Sequence, residues 1–177
     1  MIAALVRLKE AIIELWQKRS CKKFADTKAE DIGSRPLPEN FLRGFNIREC
    51  FTNEKNVAPA AFQFGNHTDE RNDNFHEASV NWEDDAGAVT TLLEQKKGGT
   101  EEKMFKFGYA RLPLKLVKVT LNSLIEKEYL DFERKPLENN PYHGNILIEG
   151  NIKKPEKGMI QNILAAIANN DAYPRNL

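Results

Sequence analysis

The clearest pattern along the chain lies at its start. Ile2, Leu5, Val6, Leu8, Ile12, Ile13, Leu15 and Trp16 recur at helical spacing, while Arg7, Glu10, Glu14, Gln17 and Lys18 fall on the other half of the wheel. This predicts an amphipathic helix over residues 2 to 18. A stripe so broad has to be covered, either by the chain's own core or by a partner or second copy. Residues 20 to 40 are polar and hold Pro36 and Pro38. Proline disfavours the α region at the preceding residue, so an extended linker is expected.

Beyond the linker the periodicity changes repeatedly. Residues 41 to 56 mix Phe41, Leu42, Phe45, Ile47 and Phe51 with charges and read as packed loop or strand. Strands are expected at 58–64, 75–82, 103–110, 129–133 and 144–149. In the second of these, Phe75, Glu77, Ser79 and Asn81 share one side, and Ala78, Val80 and Trp82 share the other. Asp84 or Asp85 is placed to cap a helix carrying Ala86, Val89, Leu92 and Leu93, closed by Gly98-Gly99. Pro113 suits the first position of a helix through Leu114, Val117, Leu121, Leu124 and Ile125. The β-branched Val117, Val119 and Thr120 keep a strand open as the alternative there. A last helix over residues 155 to 169 carries Met159, Ile160, Ile163, Leu164 and Ile167. The expected fold is α+β: one small domain with a mixed or antiparallel sheet of about five strands and three packed helices. Its divisions are the helix at 1–19, the linker at 20–40 and the domain at 41–177.

Composition narrows the functional classes. Lys plus Arg and Asp plus Glu number 26 each, so no net field steers nucleic acid or an anionic membrane. Arg43, Arg48 and Lys55 interleave with aromatics, but Glu49 and Glu54 sit among them, and a nucleic-acid face is not expected. No apolar run approaches the roughly 18 residues a membrane span needs. Charges at Arg7, Lys9, Glu10 and Glu14 do not fit a signal peptide. Cys21 and Cys50 are far apart and read as free thiols of a cytoplasmic protein.

Local backbone chemistry and a reactive side chain coincide in one run, Asn139-Asn140-Pro141-Tyr142-His143-Gly144-Asn145-Ile146-Leu147-Ile148. Turn formers there deliver His143 to the mouth of an apolar strand. A histidine so placed exchanges protons near neutral pH, or ties the turn together through its ring. Glu149 is on the same strand, six residues away. Arg43, Ser79 and Glu149 follow one another in an Arg, Ser, Glu order that resembles some ADP-ribosyltransferases, although Ala78 and Val80 stand where neighbouring hydroxyl residues are usual. His67, Asp69, Glu70, Asp73, His76 and Glu77 crowd one loop, but without HExxH or calcium-loop spacing they read as a solvated acidic loop, not a metal site. No phosphate-binding glycine motif is present, and no cofactor is expected. Two functions follow. One is a non-enzymatic protein-binding or accessory protein that associates with a partner, or with itself, through residues 2 to 18. The other is a small transferase or hydrolase acting on a nucleotide-like substrate, with His143 in its pocket and Arg43, Ser79 and Glu149 as the further candidate catalytic residues.

Overall fold

The computed structural model describes residues 35–68, 74–125, 130–149 and 152–176. The N-terminal helix, the linker up to residue 34 and Cys21 lie outside the described residues. The strands are β1 (Asn40–Gly44), β2 (Gly65–Thr68), β3 (Asn74–Trp82), β4 (Gly108–Pro113), β5 (Leu130–Arg134), β6 (His143–Glu149) and β7 (Ala172–Pro174). The helices are α1 (Gly87–Glu94), α2 (Leu114–Ile125) and α3 (Lys154–Ala168). The α+β expectation holds, with three helices and an antiparallel sheet. Six strands lie side by side in the order β5-β6-β3-β1-β4-β7, and β2 pairs with the far half of β3. The sheet therefore exceeds the five strands expected.

Alternation along each strand divides the sheet into two faces. On the inner face Phe41, Ala78, Val80, Trp82, Ala110, Leu112, Phe132, Ile146 and Ile148 pack against Leu116, Val117 and Leu121 of α2 and Ile160, Leu164 and Ile167 of α3. Phe41 lies edge-on to Trp82, with ring centroids 6.0 Å apart. On the outer face a smaller cluster joins Leu42 and Tyr109 to Ala88 and Leu92 of α1 and to Tyr142. Glu77, Ser79 and Asn81 point outward from β3, as its alternation predicts.

Several boundaries move, each for a local reason. The strand expected at 58–64 is instead a 3-10 turn at Pro59–Phe62, because proline takes its first position and buries Ala61 and Phe62 behind it. The strand expected at 103–110 begins at Gly108, whose φ of +105° breaks the alternation of Met104, Phe105 and Phe107. Phe105 turns instead onto Gly44, where a side chain on the glycine would stand 2.5 Å from the ring. Helix α1 stops at Glu94, and Gly98-Gly99 forms a hairpin tip bracketed by the Lys96–Lys103 bridge. Pro113 closes β4 and α2 starts at Leu114, so the helical alternative over 114–125 is the correct one. Residues 66–68, expected as part of a polar loop over 66–74, pair with β3 together with Gly65. Met159 is exposed and falls outside the buried stripe of α3.

β5 and β7 border the sheet. Lys135 N–H donates to His143 O, so by antiparallel alternation Phe132 N–H points away from β6. That outward donor is met by Asp131 Oδ1 at 2.8 Å.

Candidate functional site

Chemistry-bearing side chains concentrate on the outer face, where β5, β6 and β3 run together. Two rows cross these strands: Asp131, Leu147 and Glu77, then Glu133, Asn145 and Ser79. Asn145 is only 1% exposed. Its Nδ2 donates to Glu77 at 3.2 Å and to Glu133 at 3.1 Å, while its Oδ1 is buried without a hydrogen-bond partner. Next along the face, Asn140 Nδ2 donates to Asn81 at 3.0 Å and to Gln95 at 3.2 Å, which ties the turn before β6 to β3 and to the end of α1.

His143 is the first residue of β6 and is half-buried opposite Asn81. Its Nδ1 lies 2.7 Å from Lys135 O. A carbonyl only accepts, so Nδ1 carries the proton, and Nε2 is the acceptor in the neutral ring. The ring thus fastens the start of the Lys135–Tyr142 loop, which the backbone also closes through Lys135 N to His143 O and His143 N to Asn140 O.

Arg43 sits where β1 and β2 leave a gap on one edge of β3. Its Nε donates to Ala61 O at 2.8 Å and its Nη1 to Ser79 O. Burial lowers the Arg43 pKa from its ordinary value, and the Cys50 thiolate would act in the opposite sense. The structure therefore brings Arg43 to Ser79, but at the backbone carbonyl. The Ser79 side chain is exposed on the outer face and its Oγ makes no hydrogen bond among the described residues. Glu149 ends β6 opposite Phe75, roughly 20 Å of strand from His143 at about 3.3 Å per residue. His143, Arg43 and Ser79 do not gather around one point, and Glu149 lies at the opposite end of β6 from His143.

Two ionic networks join residues far apart in the sequence, and Asp85, expected as a possible helix cap, joins a third polar group. Arg111 clamps Glu83 through Nε, at 2.8 and 2.7 Å, and reaches Asp171 and Tyr173 through Nη1, both at 3.2 Å. The Glu83 carboxylate holds the Arg111 pKa above its ordinary value, against the opposing pull of burial. Arg134 forms a two-pronged pair with Asp84 and donates to Pro36 O at 2.7 Å. Asp85 Oδ1 accepts from Gly87 N–H and from Tyr142 OH, each at 2.8 Å, and burial together with that carboxylate raises the Tyr142 pKa. Cys50 is a buried free thiol, pushed up chiefly by burial, which disfavours the reactive thiolate.

The acidic loop resolves in part. Among the described residues, no three His, Cys, Asp or Glu side chains come together as a metal site. His76 lies on β3 with Nδ1 buried and unpartnered. Burial, then the charge of Lys157, lowers its pKa from 6.5. The folded state thus favours the neutral ring, so stability is full above about pH 6.5 and declines as pH falls through that value. His76→Gln is expected to flatten the fall of melting temperature between neutral and mildly acidic pH, measured by scanning fluorimetry. An unchanged slope would remove His76 as its source. Comparison with protein-family models, with curated proteins and with solved structures finds no match to this chain.

Proposed function

We propose that the protein is a non-enzymatic binding or accessory module of the cytoplasm, which associates with a partner protein or a second copy through residues 2 to 18. The apolar register of that segment carries the reading, since eight apolar side chains on half a helical wheel require a cover. The described chain begins beside β5, where Pro36 O is tied to Arg134 at 2.7 Å. The outer-face histidine and the gap-filling arginine also have structural employment, at Lys135 O and at Ala61 O and Ser79 O.

The test is Ile12→Asp, which puts a charge into the middle of the apolar stripe. A buried unpaired charge costs several kcal/mol, enough to abolish a contact of this size. Multi-angle light scattering of the full chain is expected to give a mass above the monomer, falling to the monomer in Ile12→Asp with an unchanged melting temperature. A monomeric wild type with no partner-dependent change at Ile12 would overturn the reading. So would a variant that loses its fold.

A further inference from the structure

We infer that the basic run Lys18-Arg19-Ser20-Cys21-Lys22-Lys23 docks in cis on the acidic part of the outer face, between β5 and β3. The inference rests on the association-arm reading and says where that arm is rooted.

Charge is the first argument. The run carries four positive side chains and no negative one. The two rows it would meet hold Asp131, Glu133 and Glu77, with Leu147, Asn145 and Ser79 between them and no Lys or Arg among the six. Opposite charges a few ångströms apart over a partly desolvated floor attract more strongly than in open water.

Reach is the second. The described chain starts at Arg35, and Pro36 is held by Arg134, the residue next to Glu133 on β5. Eleven residues, and so twelve residue steps, separate Lys23 from Arg35. Fully extended they span about 40 Å, whereas β3 lies only about 10 Å from β5 at the usual strand spacing. The run can therefore lie across both rows without strain.

With its root held here, the apolar helix of residues 2 to 18 is presented from a defined place and not from a free tether.

Cys21, inside the basic run, provides the test. In full-length Ser79→Cys, mild oxidation should join Cys21 to the new thiol within one chain, because Ser79 is exposed and lies in the second row. Val119→Cys, 58% exposed on α2 across the sheet, is the control, and Cys50 is buried. The intramolecular disulfide should form at least tenfold faster in Ser79→Cys. Reversing Lys18, Arg19, Lys22 and Lys23 to Glu, or adding 1 M salt, should remove that advantage. Equal rates at the two positions, a rate insensitive to charge reversal, or a disulfide found only between chains would overturn the inference. Light scattering separates the two proposals. A cross-link in Ser79→Cys no faster than in Val119→Cys, with association intact, overturns the docking alone, whereas unchanged association in Ile12→Asp with the cross-link intact overturns the arm and leaves the docking standing.

Discussion

Gly144→Ala is expected to lower the melting temperature by roughly 6 to 12 °C, the shift that about 3 kcal/mol produces in a domain of this size. Trp82 crosses β6 over this glycine and donates from Nε1 to Glu133 O on β5 at 3.1 Å. A Cβ at residue 144 would stand 1.9 Å from Nε1 and 2.5 Å from Glu133 O. Neither neighbour can give way, since one is a fully buried indole and the other is backbone. The indole has to rotate. That forces strain of about 1–3 kcal/mol into a packed core, and the lost hydrogen bond adds about 1 kcal/mol. Trp82→Phe supplies the cycle, because it removes the obstructing nitrogen and its ring. Gly144→Ala should cost much less in that background, giving a coupling well above the few tenths of a kcal/mol of independent sites. Additive losses in urea unfolding would mean that the close approach is not what requires glycine.

Arg134→Met should be similarly damaging, through a different mechanism. The Arg134 and Asp84 side chains are 7% and 5% exposed. Removing the guanidinium strands a buried carboxylate, which costs about 3–5 kcal/mol. It also frees Pro36 O, so amide exchange should quicken at the residues just before β1. Asp84→Leu together with Arg134→Met should recover most of the stability, because two apolar groups of similar volume need no compensation. It should not recover the protection ahead of β1, where the lost donor belongs to Arg134 itself. A double variant as unstable as the single one would mean that the pair contributes through something other than charge balance.

What the sequence made legible follows from how local each signal is. β3 was readable because one face is buried and the other is not, so its alternation survives in the residues themselves. α2 and α3 were readable for the same reason at a period of 3.6. β2 and β7 were not, since a four-residue and a three-residue strand are defined by their partners and carry too few positions for a period to emerge. The space beside Gly144 is taken by Trp82, 62 positions earlier, and nothing near residue 144 announces it. The candidate site behaves likewise. His143 was found because its turn is local. Its ring contact with Lys135 O, eight residues away, was not legible there. Asn145, Glu77 and Glu133 meet only because three strands align, at separations of 68 and 12 residues.

The borders of the sheet bear on how copies of this protein can meet. An open strand edge invites another strand, and repeated edge-to-edge pairing builds filaments. At one border Asp131 already occupies the outward amide of Phe132 and sets a negative charge beside it. At the other, β7 offers three residues, one of them Pro174, which has no amide hydrogen. Neither of these two borders is a good template for a further strand, so growth of the sheet from molecule to molecule is disfavoured at both. Among the described residues β2 pairs with β3 alone, and its other side is a third edge of only four residues.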